Sequence, residues 1–453
     1  MAGLSIAHRV VLAALLERCP EPTLRMISAA VAPLPGGRAV ELRMILSDEV
    51  RDRARRAMVM RPVAPMFRPR ADGVQAMNFP PVVLARLWKV ASVREPELMG
   101  TLDGDEPDAM AVSDRICLAA AAVVRDQPEL VWPATENPAA RQTGLTDLAA
   151  CLDLAHLARR GLPSLEVWLR RPDGDQIAEL RLLLKDCAGV RVDGAQRVLE
   201  MLFAHLDDAV LILRIIIQTS GAADREGFLS ASELAGFVDR LIAGVDVRVV
   251  RIAAFRPAVD LERVESVIAD LGWCAGVLGE LDATLTLNPQ SAWGKAVRDG
   301  RVSIARQLTA LLRAADKAVD QALPLERVQI AGRMTRKVPR LTAAVEGAEV
   351  VTARSLLKLV GSVRGPASTF GCEADRRALV ETLTTRLADY ADEALRLIND
   401  GEAADESHAL KLVELSADCL DRIAADEVAR AVRRRAAVAS GLRTEGGASS
   451  ATA

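Results

Sequence analysis

From Pro257 to about Arg435 the chain repeats one apolar rhythm, and that rhythm limits what it can fold into. Between Leu261 and Leu285 it runs Leu261, Val264, Ile268, Leu271, Ala275, Leu278, Leu281, Leu285, in steps that are mostly three or four residues. It returns in Ile304, Leu308, Leu311, Ala315, Ala318, Ala322. A third run is Val380, Leu383, Leu387, Tyr390, Ala394, Leu397, and a fourth is Leu410, Val413, Ala417, Leu420, Ala424. Such spacing places apolar side chains on one stripe of a helix, so the segments are expected to pack along their lengths.

Composition points the same way. Half the residues are hydrophobic, yet aromatics make up only 3%. Ala, Leu and Val carry the apolar mass, and the residues that favour strands are scarce. Prolines divide the chain: 14 of the 21 fall between Pro20 and Pro138, which restricts that third to short helices. Candidate helices there are Ser5–Arg18, Thr23–Val31, Arg38–Met60, Pro81–Ser92 and Ser113–Arg125. The expected fold class is all-α and multi-helix: a short-helix N-terminal module followed by a long antiparallel helical bundle with coiled-coil-like packing. A chain of 453 residues exceeds one ordinary core. We expect a proline-punctuated module over 1–135, a linker at Ala134–Gly144, a middle helical region over 145–255, a long-helix bundle over 256–440 and a disordered tail over 441–453. Gly300, Pro324, Pro339, Gly347 and Ser362–Gly371 are the expected breaks in the bundle. Asp193 with Gln196, and Ser230 with Glu233, have the spacing of helix caps.

The net charge of −3 gives no global case for nucleic acid. Seven single cysteines without a Cys-x-x-Cys suit buried thiols in a reducing cytoplasm. The strongest apolar run, Ala209–Ile217, contains Arg214 and is too short for a membrane span. Phosphate-cradling Gly-rich motifs and a Gly-x-Ser-x-Gly elbow are absent from the sequence.

Four groups could carry chemistry. The stretch Ala222–Glu233 resembles the end of an EF-hand, with Asp224, Glu226 and Glu233 as ligands and Gly227 at the turn; Ala222 stands where the first carboxylate belongs. Read as an ordinary turn, it precedes a helix capped by Ser230 and Glu233. The run from His408 to Lys411 resembles the His-x-Leu-Lys of histidine phosphotransfer domains. That resemblance implies His408 as phosphoryl acceptor and Lys411 as its charge partner, with Leu412 replacing the usual glycine. Cys151, Asp153 and His156, with His205, Asp207 and Asp208, form a loose set of metal-ligand types without the i, i+4 pairing a site needs. Arg430, Arg433, Arg434 and Arg435 form a basic stretch that suits a helix C-terminus or a phosphate. Trp88 and Trp132 read as core fillers or docking residues. The functional expectation is a non-enzymatic cytoplasmic scaffold or protein-interaction protein, without cofactor. Its partners would be proteins, including self-association through the C-terminal helices. The alternatives are a phosphotransfer module using His408 and an enzyme in an inter-helix pocket.

Overall fold

The computed structural model describes residues 4–103, 108–134, 136–220, 226–257, 261–331 and 334–449. Among the described residues the fold is all-α apart from one hairpin. It forms two compact units, Met1–Gly221 and Ala222–Ala453, a division that falls inside the middle region expected at 145–255.

The first unit opens with α1 (Ile6–Arg18), α2 (Glu21–Val31) and α3 (Gly37–Val59). Leu16, Leu24, Val31 and Leu46 form their shared core. Ser5 caps α1, its hydroxyl accepting from the His8 N–H at 3.3 Å. Next come α4 (Pro81–Arg94), α5 (Asp108–Asp126), α6 (Pro138–Asp153) and α7 (Ala155–Gly161). Helices α5 and α6 pack on each other, across the expected linker. Much of that linker is helix, because Asn137 accepts the Ala140 N–H at 3.0 Å and Pro138 occupies the first turn. Helices α8 (Gly174–Val190), α9 (Gly194–His205) and α10 (Ile212–Ser220) complete the unit. Asp173 and Gln176 make a reciprocal capping box on α8. Asp193 does not cap α9 through its side chain; its carboxylate takes Arg191 at 3.0 Å and Arg197 at 2.9 Å.

The second unit contains α11 (Ala235–Ala254), α12 (Val264–Thr284) and α13 (Ala292–Ala322). Then come strands β1 (Leu325–Ala331) and β2 (Met334–Pro339), α14 (Ala348–Ser362), α15 (Glu373–Asn399), α16 (Glu406–Arg422) and α17 (Asp426–Ser449). The strands pair antiparallel, Glu326 opposite Val338 and Val328 opposite Arg336, and β2 lies against α15. Helix α14 packs between α13 and α16, and α16 against α15 and α17. The apolar rhythm predicts the core well. Ile304, Leu308, Leu311, Ala315, Ala318 and Ala322 are all buried, as are Leu383, Leu387, Tyr390, Ala394 and Leu397.

Several expected breaks fall differently. Gly300 lies within α13, buried, with Val245 packed close by. Pro339 ends a strand instead of a helix. Ser362–Gly371 contains a short helix, Arg364–Thr369. Ala424 leaves the seam to turn the chain with φ +61°, between α16 and α17. The N-terminus of α11 is at Ala235, and Ser232 accepts the Leu234 N–H at 3.2 Å; Ser230 bonds back to the Gly227 carbonyl instead. Helix α17 continues to Ser449, past Gly441 where a disordered tail was expected, and 450–453 lie outside the described residues. None of the described helices is long and apolar enough to cross a membrane.

Candidate functional site

Several of the reactive residues suggested by sequence are engaged structurally. His408 sits in the first turn of α16, its N–H capped by Asp405 at 2.9 Å. Its Nε2 lies 2.8 Å from the Ala343 carbonyl, which can only accept. Nε2 therefore donates in this contact, which leaves the lone pair of the neutral ring on Nδ1. Lys411 is exposed. Of the EF-hand-like residues, Asp224 lies outside the described residues. Glu226 is buried and accepts the Asn288 N–H at 2.6 Å, while Glu233 is exposed. Glu226 thus fastens α13's approach loop and is committed to backbone.

The loose histidine set does not converge. His156 Nδ1 meets the Asp153 carbonyl at 3.0 Å, and buried Cys151 lies 3.9 Å from the Met77 sulfur. Asp208 accepts the Val210 N–H at 3.0 Å, while Asp207 is exposed. Among the described residues no group of three or more His, Cys, Asp or Glu could hold a metal ion. Burial pushes the thiols of Cys151, Cys187, Cys274 and Cys419 up to about 12, so they remain thiols at neutral pH. Two of the four arginines of the basic stretch pair with acids of the bundle, while Arg430 and Arg434 are exposed. Arg433 pairs with Asp421 at 2.7 Å and Glu414 at 2.8 Å, and Arg435 with Asp392 at 2.7 Å. Trp88 is buried and donates to Asp52 at 2.9 Å, a core filler with its N–H satisfied. Trp132 is half-buried, its ring against Gly144.

His205 is half-buried, with Nε2 3.3 Å from the Pro62 carbonyl. Burial holds its imidazole below the ordinary value of 6.5, with Arg61 and Arg68 acting in the same direction. The fold therefore favours the neutral ring. Below about 6.5 the unfolded chain takes up a proton that the folded chain resists. Stability should fall as pH drops from about 6.5 toward the folded value, and be fully present above 6.5. Melting curves between neutral and mildly acidic pH should slope less steeply for His205→Gln than for the wild type; equal slopes would refute this assignment.

Two surfaces missed by the sequence reading stand out. The first is α1. Leu16 alone of its residues is buried, while Ile6 is 81% exposed, Val10 64%, Val11 56% and Leu15 58%. The helix is nonetheless firmly held. Arg53 of α3 donates to the Leu16 carbonyl at 2.8 Å and the Cys19 carbonyl at 2.9 Å, closing the end of α1. Arg9 pairs with Glu41 at 3.2 Å.

The second is a cleft of about 890 Å³ in the second unit, walled by the end of α13, the hairpin and α15. Its apolar wall includes Val319, Leu323, Leu325, Pro339 and Leu387. Its charged groups are mostly tied to each other. Arg386 takes Asp316 at 2.9 Å and Asp320 at 3.3 Å. Glu393 takes Arg336 at 2.5 Å and Arg396 at 2.7 Å. Tyr390 is 5% exposed. Its hydroxyl and the Arg386 Nε are both buried without a hydrogen-bond partner. Burial, reinforced by the Glu326 carboxylate, holds the Tyr390 phenol above the ordinary tyrosine range, so it stays a donor. Sequence showed Tyr390 only as one more seam residue.

No protein-family model, no curated protein and no solved structure matches this chain.

Proposed function

We propose that this is a non-enzymatic helical protein that works by docking another protein chain, and that α1 is the docking element. The observation that carries the reading is the exposed apolar surface of α1: Ile6, Val10, Val11 and Leu15 face solvent on a helix whose end is pinned by Arg53. A helix that is apolar on both sides is normally covered, and apolar residues grouped on an exposed face mark interaction sites. The chemistry of the second unit supports binding over catalysis. Most charged groups of its cleft are consumed in ion pairs, and its phenol is held in the protonated form.

A second copy of the chain is the partner we test first. Light scattering of the wild type should give a mass above one chain. Val10→Glu combined with Leu15→Glu should return it to one chain with melting unchanged, because neither side chain contributes to the core. A wild type that stays a single chain at high concentration, with α1 amides exchanging equally fast with and without cell extract, would remove the reading.

A further inference from the structure

We propose that the cleft of the second unit binds a small, mostly apolar molecule through a neutral carbonyl oxygen, held by Tyr390 and Arg386. The two residues are four apart on α15, which puts them one turn apart on the same face. Each brings a buried donor without an acceptor: the Tyr390 hydroxyl and the Arg386 Nε–H. An unmet buried donor is costly, and folded proteins leave few of them. The residues that carry them both line one cleft of about 890 Å³, which points to a ligand that supplies what the protein does not. That volume lies in the range of small-molecule pockets.

The chemistry of the ligand follows from what surrounds the donors. Both need an acceptor, and one carbonyl oxygen has two lone pairs to offer. A carboxylate is disfavoured at this position. Asp316 and Asp320 already meet the Arg386 charge, so a ligand carboxylate there would be a third anion on one guanidinium. The rest of the molecule would lie on Val319, Leu323, Leu325, Pro339 and Leu387, so it is mainly apolar. The Tyr390 hydroxyl is closed off from solvent, so binding through it requires a wall of the cleft to give. A two-stranded hairpin is only marginally stable alone, and this one forms the cleft wall opposite α15, against which β2 rests. It is the wall that can ease outward.

The chain has a single tyrosine, so labelled tyrosine gives one NMR signal that reports on this cleft alone. The probes share an apolar body and differ at one end: benzylacetone has a neutral ketone, phenylbutyrate a carboxylate and butylbenzene no acceptor. A capped neutral tripeptide of Leu, Ala and Val tests whether a polypeptide carbonyl is the better source. Benzylacetone should move the Tyr390 signal saturably and bind about tenfold more tightly than either phenylbutyrate or butylbenzene. Ligand-observed NMR should show its affinity reduced by about tenfold in Tyr390→Phe, while that variant melts no lower than the wild type. Butylbenzene binding as well as benzylacetone, or no loss in Tyr390→Phe, would overturn the carbonyl assignment. A tripeptide that outcompetes benzylacetone would overturn the small-molecule source. Failure of every probe to bind the wild type, or binding unchanged in the cleft-filling Thr385→Trp, would overturn the cleft as a site and leave the α1 reading untouched.

Discussion

Arg159→Met should be among the most damaging single substitutions in the first unit, lowering its stability by about 3–5 kcal/mol. The reason is the number of groups that one buried guanidinium serves. Arg159 is 8% exposed. It donates to Asp114 at 2.9 Å and to the carbonyls of Met58 and Val59 at 2.8 Å each, with Cys117 Sγ at 3.6 Å. Those carbonyls are at the C-terminal end of α3, where no further helical N–H can reach them. Arg159 thus closes α3 from α7 while neutralising an acid on α5. Methionine keeps much of the volume but leaves Asp114 without its partner and strips two carbonyls of a donor. At roughly 2–4 °C per kcal/mol for a unit of this size, melting should fall by about 10 °C. Arg159→Lys should recover only part of the loss, since a point ammonium cannot span a carboxylate and two carbonyls. The exposed pair Arg170–Glu166, with side chains 82% and 84% exposed, provides the contrast: Arg170→Met should be nearly silent. Scanning calorimetry of the three variants checks this, and a small shift for Arg159→Met would show that the end of α3 is satisfied by other means.

Sequence patterning made most of this fold visible and almost none of its special positions. Periodicity reports burial on a stripe, so Leu308, Leu383 and Leu420 were identifiable as core, and all three are fully buried. Caps and prolines located helix ends in the first third to within a few residues; Arg38–Met60 was expected and Gly37–Val59 is observed. The hairpin was hidden because Leu325–Pro339 lacks clean alternation, and its stability comes from resting on α15, a tertiary contact with no local signature. Arg159 reads as one more arginine in Ala-Arg-Arg-Gly; only the fold brings it beside Asp114 and the end of α3. Tyr390 was placed in the seam for its ring, while its orphan hydroxyl depends on what faces it across the cleft. The solvent-facing residues of α1 are legible as apolar in the sequence, but their exposure is not. Hydrophobicity says that a face is to be buried, without saying by what.

Gly361→Ala should unfold or severely loosen the second unit, a cost of about 3 kcal/mol or more. The added methyl would sit 2.2 Å from the Arg422 carbonyl oxygen and 3.3 Å from its carbon. Both belong to backbone, so no side chain can swing aside. Helix α14 would have to move from the end of α16, pulling apart the buried contacts of Val360, Val363, Leu420 and Ile423. Interiors packed at crystal density do not absorb that displacement locally. The glycines of α12 give the opposite expectation. A methyl at Gly272 or Gly276 meets nothing within 4 Å, so Gly272→Ala and Gly276→Ala should each stabilise by about 1 kcal/mol through helix propensity alone. Urea titrations of the three variants should therefore move the midpoint in opposite directions; a wild-type midpoint for Gly361→Ala would mean that the α14–α16 approach is looser than 2.2 Å implies. The consequence extends to the cleft. Ser416 of α16 donates to the Leu387 carbonyl of α15 at 2.7 Å, and Leu387 sits between Arg386 and Tyr390 in the cleft wall. A shift of α16 is thus carried onto the helix that holds both unmet donors. If enough Gly361→Ala protein remains folded to label, its single tyrosine signal should move although the substitution is on another helix. An unmoved signal would show that α15 keeps its place independently of α16.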